Sequence, residues 1–233
     1  MTRLKAYIPC SMHFLALARD TATGVNADAV TVDAPYSVVI ENTTALPTRA
    51  ILRTDVYGRI ASSTVVYRAG RGDEGREDVV CLRARDNLGV TDTGVYCIVV
   101  AVMRCAYCVE STDTLQLIMR ETIGDFNWLR VWVANGNDDG DPDTQLVENP
   151  DNILASGEYD KQVVNVGSLY TVNLGESLTE LAGRFQTTVK KLIRLNPDVN
   201  EHGVLEAGKE MCIVPCSDLP MIPDEVDAIV ALQ

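Results

Sequence analysis

Tyr170-Thr-Val-Asn-Leu-Gly-Glu-Ser-Leu-Thr-Glu-Leu-Ala-Gly-Arg-Phe185, with its continuation through Asn196 to Pro215, is the stretch that decides the fold of the C-terminal region. Ser168–Val172 reads as a short strand, and Gly175 turns the chain into a helix. Ser177 is placed as its N-cap with Glu180 three residues on, the spacing at which both side chains satisfy orphan amides. Leu178, Leu181, Ala182 and Phe185 then fall on one apolar face. A second helix follows, capped by Thr187 or Thr188, with Val189, Leu192, Ile193 and Leu195 as its buried stripe, and Asn196-Pro197 ends it. A loop through Asn200, His202 and Gly203 leads to a closing apolar strand near Met211–Val214. The order is β-α-α-β, with two helices packed on a two-stranded sheet.

Outward from this module, charge marks candidate boundaries. The chain has 233 residues and a formal net charge of -13. Residues 1–134 carry a net of -1, 135–161 a net of -7, 169–216 a net of -1 and 217–233 a net of -4. This predicts a domain at 1–134, an acidic linker at 135–168, the module at 169–216 and an acidic tail at 217–233. The overall field opposes nucleic acid and anionic lipid, so no nucleic-acid partner is expected. No run reaches the roughly 20 apolar residues of a membrane span. The N-terminus lacks a convincing export signal, because Tyr7, Pro9, Ser11 and His13 interrupt its apolar character.

The first 134 residues read as mainly β, an antiparallel sandwich or barrel-like domain. Ala29–Val32, Tyr36–Ile40, Ala50–Tyr57, Ser63–Arg68, Val79–Arg85, Gly94–Cys105 and Trp128–Val133 are short runs of strand-forming residues separated by Gly, Asp and Asn breaks. The near-continuous apolar run from Val95 to Met103 predicts a central strand. Thr112–Glu121 fits either a strand or a short helix and is assigned to a strand. The Gly70, Gly72, Gly75 cluster is too acidic to cradle phosphate and reads as a mobile hairpin tip.

Chemistry is sparse. The seven cysteines read as buried free thiols in a reducing compartment, since their spacing fits neither a disulfide-dense scaffold nor a zinc site. Asn135–Asp143 places oxygen donors as a calcium loop does, but position 12 is Leu146, so a solvated acidic turn is expected and no metal site. His13 and His202 have no local partner motif, and Glu176 and Glu180 suit turn and capping chemistry better than acid–base work. No catalytic residues and no cofactor are expected.

The pattern Tyr170-x-Val172-x-x-Gly175-Glu176-Ser177-Leu178-x-x-Leu181-Ala182-x-x-Phe185, then Val189-x-x-Leu192-x-x-Leu195-Asn196, then Leu205-x-x-Gly208-x-x-Met211-x-Ile213 resembles the LysM domain family. The resemblance implies a β-α-α-β fold and a shallow groove between two loops. That groove commonly binds N-acetylglucosamine-containing glycans such as peptidoglycan or chitin. Carried onto this sequence, it is formed by Gly175, Glu176, Ser177 and Leu178 with Asn196, Pro197, Asp198 and Val199. Neither loop holds an aromatic residue for sugar stacking. The expectation is therefore a non-catalytic structural or protein-interaction component of a large intracellular assembly, cytoplasmic or cytoskeletal, with the module as a protein contact. The alternative is a glycan-binding protein, strengthened by an extracellular location.

Overall fold

The computed structural model describes residues 1–19, 38–57, 60–86, 94–124, 128–135, 147, 153, 163–200 and 204–214. The strands in chain order are β1 (Thr2–Ile8), β2 (Ser11–Arg19), β3 (Val38–Asn42), β4 (Ala50–Tyr57), β5 (Ile60–Arg68), β6 (Glu77–Asp86) and β7 (Tyr96–Cys108). Helices α1 (Leu115–Thr122) and α2 (Leu129–Ala134) follow, then β8 (Val163–Asn165), β9 (Ser168–Thr171), α3 (Leu178–Arg184), α4 (Val189–Leu195) and β10 (Glu210–Ile213).

One compact unit comprises Met1–Ala6, Ser11–Ala69 and Arg76–Val102. It is mainly β, as its composition predicts. One sheet has the order β2-β5-β4, with both pairings antiparallel, and the other runs β1-β7-β6-β3. β6 pairs antiparallel with β3 and β7. Alternation decides what is buried: Ala61, Ser63, Val65 and Tyr67 of β5 point inward while Ser62, Thr64 and Val66 are half-covered. Val38, Ile40, Val80 and Leu82 meet Ala61 and Val65 in one core, flanked by Phe14 and Leu52, which makes a sandwich. The buried Tyr67 hydroxyl donates to Asp78 at 2.7 Å. Cys81 and Cys97 stand directly opposite in the β6–β7 register and are disulfide-bonded, with Cα atoms 4.1 Å apart. This bridge therefore links neighbouring strands of one sheet.

The second unit comprises Tyr7–Cys10, Gly70–Gly75 and Met103–Gln233. Its described part holds two strand pairs, each with two helices between the strands. In the first, the end of β7 pairs antiparallel with β8, and α1 and α2 lie between them in sequence. In the second, β9 pairs antiparallel with β10 around α3 and α4. Chain crossings between the units fall at 6/7, 10/11, 69/70, 75/76 and 102/103, away from the charge step at residue 134, and β8 lies inside the stretch expected to be linker. Ala29–Val32, most of the calcium-like stretch, Cys216, His202 and the tail at 217–233 lie outside the described residues.

Four expectations are corrected. Thr112–Glu121 holds a helix instead of a strand: the Thr114 side chain accepts from Leu117 N at 3.2 Å, and Leu115, Ile118, Met119 and Thr122 are buried at helical spacing. Trp128–Val133 is also helical, with Trp132 N bonded to Trp128 O and Asn135 N to Val131 O. Its Trp and Val residues mimic strand alternation over so short a span. The Gly70–Gly75 turn is pinned instead of being a loose tip, because buried Asp73 and Glu74 accept from the amides of Gly70 and Gly72 and Arg71 pairs with Glu74 at 2.6 Å. The six described cysteines are not free thiols either. Cys10–Cys108, Cys81–Cys97 and Cys105–Cys212 are disulfides. Each joins residues that sequence spacing alone does not bring together.

Candidate binding groove

The β9–α3 loop begins from a network centred on Tyr170. Its hydroxyl donates to the Glu176 carboxylate at 2.8 Å and accepts from Asn173 Nδ2 at 2.9 Å and Arg184 Nη1 at 2.7 Å. Glu176 also accepts the Asn173 backbone amide at 2.8 Å and pairs with Arg184. That amide above all, with the Tyr170 and Arg184 hydrogen bonds, outweighs burial and holds the Glu176 carboxyl down at about 2. Gly175 has φ +84°, a left-handed conformation that suits glycine, and a Cβ there would meet nothing within 4 Å. The rim at this point is open.

Ser177 closes the predicted capping box. It accepts from Glu180 N at 3.3 Å while its own amide donates to Glu180 Oε2 at 2.8 Å. Leu178 is buried with Leu181, Ala182, Leu192, Val199, Met211 and Ile213, so both groove loops are rooted in one core. In the second loop Asn196 is fully buried. Its Nδ2 donates to Leu192 O at 2.8 Å and Cys212 O at 2.9 Å, and its Oδ1 accepts from Cys212 N at 2.7 Å. Asp198 is gripped by both Arg104 guanidinium nitrogens, at 2.8 and 2.7 Å, and by Lys209 at 2.9 Å. Burial alone would raise its pKa, but these two cations bring it to about 2.

Of the eight expected groove residues, Glu176, Ser177, Leu178, Asn196 and Val199 thus serve the scaffold, and the charge of Asp198 is already matched. Gly175 and Pro197 remain exposed. Next to Gly175 stands Leu174, 91% exposed, an apolar contact that the sequence reading passed over because it lies outside the helical stripe. Arg104 was also unforeseen, since nothing local ties it to Asp198. Among the described residues, Glu176 is paired with Arg184 and Asp198 with Arg104 and Lys209, which leaves backbone polar groups, Leu174 and Pro197 beside them. Among the described residues no group of three or more His, Cys, Asp or Glu could hold a metal ion. No described helix is long and apolar enough to cross a membrane.

Strand pairing and capping together define a small β-α-α-β module. Residues 170–214 match the family model described as LysM domain, which agrees with the resemblance read from Tyr170 to Ile213. Comparison with curated proteins gives no match. A solved structure titled "GspB Siglec domain" is similar at 12% identity and a TM-score of 0.31, covering 49% of this chain and 59% of that one. That likeness is too distant to bear on fold or function.

Proposed function

We propose that this chain is a non-catalytic glycan-binding protein, whose C-terminal module takes a neutral N-acetylglucosamine-type oligosaccharide along the Leu174–Gly175 and Pro197 rim. The match of residues 170–214 to the LysM domain carries the reading. The chemistry of the rim supports it: exposed backbone amides suit acetamido carbonyls, Leu174 and Pro197 offer apolar contact, and Glu176 and Asp198 are already paired with basic side chains. Three disulfides favour an oxidising compartment, so the location proposed is outside the cytosol. A cytoskeletal assembly draws support from none of these features.

Isothermal titration of the oxidised full chain with chito-oligomers tests this. Micromolar binding is expected, and Leu174→Asp should weaken it by about tenfold, which is about 1.4 kcal/mol, without changing the melting profile. Absence of heat, together with failure to pellet with chitin or peptidoglycan, would overturn the reading.

A further inference from the structure

The second unit holds another strand pair with two helices between its strands, and its details repeat those of the LysM module position by position. At the sheet, Ala106↔Asn165, Tyr107↔Val164 and Cys108↔Val163 stand in the same antiparallel register as Leu169↔Cys212, Tyr170↔Met211 and Thr171↔Glu210. After each first strand comes the same turn. Glu110 N donates to Asp113 Oδ2 at 2.8 Å and Asp113 N to Glu110 O, just as Asn173 N donates to Glu176 Oε2 at 2.8 Å and Glu176 N to Asn173 O. Tyr107 stands close enough to Asp113 to feel its carboxylate, as Tyr170 stands beside Glu176. Thr114 then caps α1 as Ser177 caps α3.

The cores correspond too. Val109, Leu115, Ile118 and Met119 occupy the places of Val172, Leu178, Leu181 and Ala182, all buried, and Val164 and Val166 stand where Met211 and Ile213 do. The most specific agreement is at the helix ends. Asn135 follows α2 and donates to Val131 O at 2.6 Å and Asn165 O at 2.8 Å while accepting from Asn165 N at 2.7 Å. Asn196 makes the same three bonds to Leu192 O, Cys212 O and Cys212 N. Hydrophobic patterning alone would reproduce a core, but a buried amide spanning helix end and strand in one geometry, at the matching position, is a far narrower coincidence.

We infer that residues 106–166 are a second, diverged copy of the module at 169–214, and that its turn at Ser111–Thr112 is a second rim for the same class of neutral N-acetylated oligosaccharide. Ser111 and Thr112 occupy the turn positions of Leu174 and Gly175, and both are exposed. The ligand assignment rests on the proposed function of the LysM module; the duplication rests on the correspondences alone. The Cys105–Cys212 disulfide ties the residue just before the copy at 106–166 to the copy at 169–214, and Leu195, Cys212 and Val214 of the latter pack into the core of the former. Two rims joined through a disulfide would bind a long glycan with higher avidity than either rim alone wherever one oligomer can reach both.

The test is a titration of the isotope-labelled, oxidised full chain with a short chito-oligomer, followed through backbone amide shifts. Expected are saturable shifts at both Ser111–Thr112 and Leu174–Gly175, with Leu174→Asp removing only the second set. Shifts confined to Leu174–Gly175 would overturn the second rim and leave the glycan reading of the LysM module standing. No shifts at either turn would overturn both. A shift at Ser111–Thr112 that vanishes together with the other in Leu174→Asp would also count against an independent second site.

Discussion

The two copies in the second unit share a plan and differ in how each is closed. The copy at 169–214 builds its core from its own helices and strands, Leu181, Leu192 and Met211 being fully buried, and caps both helices with its own Ser177 and Thr188. The copy at 106–166 recruits more. Its core admits Val147 and Ile153 from the stretch between α2 and β8, Trp128 and Trp132 pack on it with rings 6.1 Å apart, and Cys108 is bonded to distant Cys10. Small modules bury too little surface to be stable with ease. One copy meets that limit with local sequence regularity and the other with long-range staples, so the second can drift from the family pattern while keeping the fold.

The bridge between the copies offers the strongest way to break the comparison. Replacing Cys105 and Cys212 by Ser removes a cross-link over a sequence separation of 107. Denaturant unfolding should show a loss of about 4 kcal/mol, with hydrogen exchange rising in β7 and β8 before α3 and α4. Uniform loss of protection across both copies would mean that they form one cooperative core.

Ile118 and Leu181 hold equivalent places and both are fully buried. Each should cost about 3 kcal/mol on truncation to Ala, measured by equilibrium denaturation. A near-silent Ile118→Ala would show that the first copy is not cored like the second. Phe185 is only half-buried, with its ring edge-on to Tyr170 at 5.0 Å. Phe185→Ala should therefore cost about 2 kcal/mol, below the usual range for a fully buried aromatic.

The smallest expected effect is one of pH. Glu176 and Asp198 have carboxyls held at about 2, below their ordinary values of 4.5 and 3.8. Groups depressed in this way stabilise the fold above their unfolded pKa, and the gain is lost as pH falls through the folded value. Stability should thus decline between the ordinary carboxylate range and about pH 2. The Asp198 share, screened at the surface, is about 1 kcal/mol. Thermal melts of Asp198→Asn should start lower at neutral pH and show a shallower acid limb than the parent protein.

How far the sequence discloses this architecture depends on the range of the determinants. Ser177 with Glu180, the Leu178–Phe185 face and the Asn196-Pro197 stop are all set within a few residues, and the structure has them as read. Ala50–Tyr57 also forms a strand as expected, because its β-branched residues are bounded by breaks. α1 and α2 were misread for opposite reasons. Thr114 is a clear cap whose helix is preceded by a Thr/Asp-rich run that looks like a turn, and Trp-x-x-x-Trp satisfies both periods over one turn. The disulfides and the Arg104–Asp198 pair depend on strand pairing, which single-sequence spacing does not encode. In the two loops expected to form the groove, most polar side chains hold the scaffold together, and the exposed Leu174 carries no pattern to announce it.

Asn135 and Asn196 also set a difference in chemical ageing. Deamidation requires the next residue's backbone nitrogen to attack the side-chain carbonyl. Asn196 is followed by Pro197, which has no N–H, whereas Asn135 is followed by Gly136, the least hindered attacker. While folded, the Asn135 amide is buried and spoken for by three hydrogen bonds. Once unfolded for long, it is free to convert to aspartate, and on refolding that carboxylate would face the carbonyl oxygens of Val131 and Asn165 where an N–H₂ had donated. Prolonged denaturation should therefore leave a mark that refolding cannot erase, and leave it soonest at Asn135.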